Sequence, residues 1–310
     1  MARKRRGLPI HGWIVLDKPR GMTSAQAVAA VRRMTGAQKA GHGGTLDPLA
    51  TGVLPVALGE ATKTVQWAIE GRKLYHFTVR WGEARDTDDA DGQVVAESAA
   101  RPDRAAIEAL LPRFTGLVVQ RPPIYSALKV DGARAYDLAR EGAPVELEPR
   151  PVEIDELRVL ATPDRDHAEF AALVGRGTYI RALARDLGEA LGTRAHVVEL
   201  TRRSVGRFRI EQAISLDKLA ALGQNGAASE HLLPVETALD DIPALALTEA
   251  EAHALRCGQT VTLLRPSDRI RLDQIGDGAT LCATSGGRLV ALVELAGGGL
   301  RPVRVMNIEE

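Results

Sequence analysis

The chain has 310 residues, 45% of them hydrophobic and 26% charged, with 40 Lys plus Arg against 40 Asp plus Glu and a net charge of zero. That length suits one large domain and a small one, and the apolar content can fill a real core. No apolar run approaches the ~20 residues of a membrane span, and the basic start MARKRRGLPIHGW has no apolar signal segment behind it.

In chain order, Gly12 to Leu16 reads as a short apolar strand leading into DKPRGMTS. Ser24 is placed to cap a helix from about Ala25 to Met34, with Arg32 and Arg33 near its C-terminal end, where the dipole favours cations. The stretch Gly41 to Lys63, GHGGTLDPLATGVLPVALGEATK, then sets a carboxylate, Asp47, among glycines, with Pro48 after it and Thr51-Gly52 closing the loop. Pro48 steers Asp47 away from the α region, so the carboxylate belongs on an extended, sharply turned loop. Val53 to Leu58 follows as a short strand that Pro55 restricts to an edge or an irregular segment. A lone Asp-Pro is ordinary turn chemistry, but a rigid loop feeding a buried strand is also a good mount for a reactive group.

Ala61 to Glu70 has helical spacing, and 74–82, LYHFTVRWG, alternates as a strand with Tyr75, Phe77, Val79 and Trp81 on one face. The acidic run EARDTDDADG at 83–92 places Asp86, Asp88 and Glu97 at calcium-loop positions 1, 3 and 12. Ala90 and Asp91 then break the pattern where an acid and a glycine are required, leaving a polar loop. Residues 103–114 read as a helix, Ile124 to Val130 as a hairpin arm turning at Asp131-Gly132, and Ala133 to Glu141 as a helix. Strands are predicted at about 152–160 and 167–174. A helix starting at Gly177-Thr178 then follows, with Ile180, Leu183, Ala184, Leu187 and Leu191 on its apolar face. Arg181 lies one step off that face in the first turn, where a cation opposes the dipole; a buried carboxylate partner would explain it.

AHVVEL at 195–200 is a strand that TRRSVGRF continues. From about Ile242 short strand-like pieces alternate with Gly-rich turns: Gln259 to Leu264, Arg269 to Leu272, Ala279 to Thr284, Leu289 to Leu295 and Val303 to Val305. Together they suggest a small all-β barrel. Two cysteines, Cys257 and Cys282, without a CxxC pair, fit a reducing cytoplasm and no zinc site. Charge is unevenly spread: residues 1–40 carry nine Lys or Arg against one acid, Asp17, and Arg202, Arg203, Arg207 and Arg209 form a second cluster. Each run alone reads as a solvated face, yet two such clusters can converge on one phosphate-binding surface.

The string GTLDPLATG at 44–52 resembles the active-site motif of the pseudouridine synthases, most closely the branch that modifies the TΨC loop of tRNA. GWIVLDKPRGMTS at 12–24, the YSALK element at 125–129 and GTYIR at 177–181 match the same family in the same order, so the resemblance runs from Gly12 to about Phe208. It implies an α+β fold in which helices flank a central, mainly antiparallel mixed sheet. A catalytic domain would span 1–240, and a small all-β PUA-like RNA-binding barrel would span 241–310. It also implies the roles of single residues. Asp47 would be the nucleophile and Arg181 its ion-pair partner, while Tyr75 would pack on the target base and take its proton. Tyr179 and Leu200 would line the uracil pocket, and His42 would stack in the place the flipped base leaves. Gly43 stands where the family often has Thr, a change expected to alter loop stiffness and spare the nucleophile.

The implied reaction isomerises uridine to pseudouridine at position 55 of tRNA, with no atoms gained or lost and no redox step, so neither cofactor nor metal is expected. The expected partner is the TΨC stem-loop of tRNA, met by a monomer in the cytoplasm. Whether Asp47 attacks C1′, acts through C6 or follows elimination at C2′ stays open. A zinc deaminase lacks its Cys pair here, and Lys63-Thr64 lacks the glycine of a phosphate loop. A non-catalytic tRNA-binding or tRNA-folding protein on the same scaffold is the principal alternative, although it would have no need of both Asp47 and Arg181. An RNA glycosylase, which would release free uracil, is a third.

Overall fold

The structure is a computed structural model; it describes residues 7–126, 128–130, 133–134, 147–224, 230–262 and 275–308. The first half of the chain supplies β1 (Gly12–Lys18), α1 (Ser24–Thr35), β2 (Ala40–His42), β3 (Thr51–Leu58), α2 (Val65–Glu70), β4 (Lys73–Trp81), β5 (Glu83–Arg85), β6 (Val94–Glu97), α3 (Arg104–Leu110), β7 (Gly116–Gln120), β8 (Lys129–Val130) and β9 (Ala133–Arg134). The second half supplies β10 (Arg150–Ala161), β11 (His167–Val174), α4 (Ile180–Ala190), β12 (Ala195–Val205), β13 (Phe208–Arg209), α5 (Leu216–Gln224), β14 (Ala244–Ala246), α6 (Glu249–Arg256), β15 (Val261–Thr262), β16 (Thr280–Ser285), β17 (Arg288–Ala296) and β18 (Gly299–Val305). No helix among the described residues is long and apolar enough to cross a membrane.

Nine strands form the main sheet in the order β1-β3-β12-β4-β11-β10-β7, with β2 added beside β3 and β13 beside β12. Its neighbours are antiparallel except β12 with β3, so the sheet is mixed and mainly antiparallel, within an α+β fold. Strict alternation along β4 buries Lys73, Tyr75, Phe77, Val79 and Trp81 on one face. That face shares a core with Ile180, Leu183, Ala184 and Leu187 of α4, the apolar stripe expected from the sequence. One row across the face runs Leu157, Ala172, Tyr75, Arg202, Gly52.

Several local expectations change. Thr23, not Ser24, caps α1: its hydroxyl accepts from Gln26 N and the Gln26 side chain accepts from Thr23 N, a reciprocal box. Pro55 does not drive β3 to an edge, since β1 pairs along one side while β2 and then β12 pair along the other. Its missing N–H faces the gap between β2 and β12, where no ladder bond is lost. The helix expected over 61–70 is a 3₁₀ turn, Gly59–Lys63, followed by α2. The hairpin arm expected over 124–130 is strand only at β8, paired with β9; Ala133 and Arg134, where a helix was expected to start, are strand instead, and the rest of that stretch to 141 lies outside the described residues.

Five strands near the C-terminus make a second sheet, β14-β16-β17-β18-β15. It is not all-β, because α6 packs on it, started by a capping box between Thr248 and Glu251. The piece expected at 269–272 lies outside the described residues. A second apolar cluster joins Trp13, Val15, Val205 and Phe208 of the main sheet to Cys282, Leu289, Leu292 and Met306. Polar ties cross the same boundary: Lys63 Nζ donates to Val305 O at 2.7 Å, and Asn307 N donates to Glu60 Oε2 at 2.7 Å.

Candidate active site

Asp47 sits in the loop between β2 and β3, and five successive carbonyls of that loop are each held by a donor. Arg202 donates to Gly44 O at 3.0 Å and Thr45 O at 3.2 Å, Ser24 to Leu46 O at 2.9 Å, and Ala50 N to Asp47 O at 3.1 Å. Gly21 N and the Lys18 ammonium both reach Pro48 O, at 2.8 and 3.4 Å. A loop with five successive carbonyls engaged has little freedom to change φ and ψ there, so the carboxylate it carries is fixed in advance. Gly52 closes the loop at φ 93°, and a Cβ there would meet Arg202 O at 2.3 Å, which leaves glycine as the residue that fits.

Arg202 was expected on a phosphate-binding surface, and the structure contradicts this. It is 1% exposed, donates to Val53 O at 2.8 Å as well as to Gly44 and Thr45, and has no carboxylate within ion-pair range among the described residues. Alternation along β12 turns position 202 inward, into the gap beside β3, and 203 outward. Arg203 pairs with Glu211, and Arg207 with Asp240 and Asp241, so much of the remaining cluster is locally neutralised.

Arg181, 4% exposed in the first turn of α4, meets two carboxylates, a half-buried Asp47 and a buried Asp89. Its Nε donates to Asp47 Oδ2 at 2.9 Å and lies 3.5 Å from Asp89 Oδ2. Nη1 donates to Thr87 O at 2.7 Å and Nη2 to Tyr125 O at 2.8 Å. Burial pulls the guanidinium toward neutrality, and the carboxylates of Asp47 and Asp89 more than reverse this, so it is held charged. Burial also raises the Asp89 carboxyl, against a 2.6 Å hydrogen bond from Thr87 and the charge of Arg181. Lys18, fully buried, is lowered to about 8 by burial, with Asp47 opposing and Arg202 adding to the shift. Lys18 and Asp89 were not expected at the site from sequence, and Arg202 was expected in another role; the DKP and DTDDADG strings contained the first two without showing which side chain turned inward.

The other expected residues lie on β2, β4, β12 and at the start of α4. Tyr75 lies beside Arg202 in the strand ladder, 8% exposed, with its hydroxyl uncommitted among the described residues. Leu200, buried opposite Phe77, offers its carbonyl to Thr51 Oγ1 at 3.4 Å. Tyr179 is bracketed by the Gln120 amide, which accepts from its N and donates to its O, while the Arg150 guanidinium stands 5.5 Å over its ring. His42 ends β2; burial, then the Arg202 charge, lowers its pKa, so the ring is neutral near pH 7, and its buried Nδ1 has no partner among the described residues. Of the six, Asp47 and Arg181 are joined by a hydrogen bond and ion pair, and Tyr75 and Leu200 share the main apolar core. A wide depression of about 660 Å³ lined by Leu111, Pro112, Leu157 and Val159 contains none of them.

The arrangement presents a half-buried carboxylate with a permanent cation against it. That is equipment for nucleophilic or general-base chemistry on a planar, uncharged group. Residues 32–180 match the model of the TruB family pseudouridylate synthase N-terminal domain, and 181–240 match that of the tRNA pseudouridylate synthase B C-terminal domain. The chain is 54% identical over 308 residues to tRNA pseudouridine synthase B of Rhodospirillum rubrum, covering 99% of this chain and all of that one. It is 56% identical over 304 residues to the protein of that name from Bradyrhizobium diazoefficiens, covering 96% and 86%. Among solved structures it resembles the Cbf5 complex with Nop10 and Gar1, with a TM-score of 0.72 and 27% identity over 96% of this chain and 84% of that one. Two family models that together span residues 32–240, and relatives more than 50% identical along nearly the whole length, leave one conclusion: the chain belongs to the TruB family of pseudouridylate synthases.

Proposed function

We propose that this pseudouridine synthase acts on tRNA in the cytoplasm, converting the uridine at position 55 of the TΨC loop. The observation that carries the reading is the 2.9 Å Asp47–Arg181 pair mounted on a loop with its carbonyls engaged. The target base is flipped out of its stack, and Asp47 acts as the nucleophile while Arg181 keeps it ionised. Tyr75 packs on the freed uracil and takes the C5 proton; Tyr179 and Leu200 complete the pocket, and the neutral ring of His42 stacks where the base had been. Residues 1–240 serve as the catalytic domain and 241–310, with the second sheet, as a PUA-like RNA-binding domain. The names of relatives more than 50% identical support tRNA as the substrate.

The test is to incubate the protein with an unmodified tRNA transcript and map pseudouridine by position. Conversion at position 55, abolished in Asp47→Asn with RNA affinity kept within about tenfold, is the expected result. Conversion elsewhere, release of free uracil, or more than a few per cent of wild-type activity in Asp47→Asn would overturn it.

A further inference from the structure

Arg185 lies one turn after Arg181 on the same side of α4 and repeats its contacts. Arg181 reaches Thr87 O and Asp89 in the 86–92 loop and Tyr125 O in the segment after β7. Arg185 reaches Asp88 Oδ2 at 2.8 Å in the same loop and Arg121 O at 2.7 Å in the same segment, with Asp186 2.8 Å away on its own helix. Asp88 therefore points at the lower arginine while its two neighbours point at the upper one. It is also the only non-glycine residue with positive φ, 59°, among the described residues. Its backbone is fixed on both sides, with Asp88 N donating to Arg85 O at 3.0 Å and Val197 N donating to Asp88 O at 3.1 Å. A left-handed aspartate persists where its surroundings hold it.

The geometry points to Asp88 and Arg185 as positioning residues for the reaction: their pair locks the 86–89 backbone in the one conformation that presents Thr87 O and Asp89 to Arg181, and so aims Arg181 Nε at Asp47. Without it, position 88 relaxes, Thr87 and Asp89 withdraw, and Arg181 loses two of the contacts that orient its fork. Neither residue touches the Asp47 carboxylate, so the effect passes through Arg181.

The inference rests on the tRNA reading for its kinetic readout, and wild-type conversion of the transcript separates the two. With that control in hand, Asp88→Asn, which keeps tolerance for positive φ and removes the charge, should lower the single-turnover rate at saturating tRNA by about 10- to 100-fold. The tRNA Kd should stay within about threefold. Arg185→Met should match it, and Arg185→Lys should recover part of the rate. In an Arg181→Lys background, Asp88→Asn should cost less than about twofold further, because the route it acts through is already broken. The Arg181 Nε–H resonance, identified by its loss in Arg181→Lys, should shift and exchange faster with water in Asp88→Asn, a readout that needs no substrate. A rate loss under about threefold, full multiplication of the two substitutions, or an unmoved Arg181 resonance would each refute the positioning role.

Discussion

Replacing Arg202 by Met tests the account of how the Asp47 loop is held. The substitution removes donors to Val53 O at 2.8 Å, Gly44 O at 3.0 Å and Thr45 O at 3.2 Å. A hydrogen bond from a charged donor contributes ~1.5–3 kcal/mol, so three amount to roughly 4–9 kcal/mol. Against that stands relief of a buried cation with no carboxylate partner among the described residues, whose desolvation penalty is several kcal/mol. The difference is a loss of ~2–4 kcal/mol, which at ~2 °C per kcal/mol in a chain of this size lowers Tm by ~4–8 °C. Activity should suffer more than stability, because Gly44 and Thr45 carry the carboxylate and a displacement of ~1 Å costs about 100-fold. Arg202→Lys keeps the charge but not the planar fork, so it should restore Tm in part and the rate little. Thermal melts followed by circular dichroism, single-turnover conversion and the salt dependence of tRNA binding measure all three. A buried arginine releases no counterion, so the log–log salt slope should stay put, whereas losing a phosphate contact would cut it by ~1. An unchanged Tm and rate would refute the loop-holding role, and a slope that falls by about one with the rate intact would show that Arg202 reaches RNA after all.

Gly52→Ala forces a side chain onto φ 93° and into Arg202 O at 2.3 Å, so it should destabilise by ~2–4 kcal/mol, and a Tm equal to wild type would contradict the parallel β3–β12 contact. Burial raises the Asp88 carboxyl to about 6, although Arg185 opposes it. A carboxyl raised in the folded state contributes stability that is complete below its unfolded value of 3.8 and lost as pH rises through about 6. Asp88→Asn deletes that dependence, so its stability relative to wild type should grow from pH 4 to pH 7 by up to ~3 kcal/mol, and melts across that range showing a constant difference would sink the assignment.

What could be read from the sequence was whatever depends on local chemistry. The turn at Asp47-Pro48, the buried face of β4 with Tyr75 on it, and the misfit cation at Arg181 all carry their physics within a few residues. Arg202 and Arg203 show the limit. Adjacent arginines on a strand face opposite ways, but β12 shifts register between Val197 and Glu199 and again between Arg202 and Ser204, so counting along the strand does not say which one enters the core. Asp89 was hidden differently: in an acidic run every carboxylate looks solvated, and the partner that singles it out lies in α4, remote in sequence. The Thr23 and Thr248 boxes were legible, since each has Gln or Glu three residues on. Ser24 suits an N-cap by residue type but has Ala27 three residues on, so the reciprocal partner singles out Thr23, and the Ser24 hydroxyl bonds the Leu46 backbone instead.

The cluster that joins Trp13 and Phe208 to Leu289, Leu292 and Met306 also bears on where the chain can be divided. Trimming at residue 240 would strip cover from the outer face of β1, leave Glu60 without the Asn307 amide, and leave Lys63 without the Val305 carbonyl. The main sheet and the C-terminal sheet thus share the apolar layer between them, beside a core that each keeps to itself. Heat or denaturant that loosens the second sheet would be felt within a few residues of β3, the strand into which the Asp47 loop runs. A shortened variant built as a minimal enzyme would inherit that exposed apolar face as a site of aggregation.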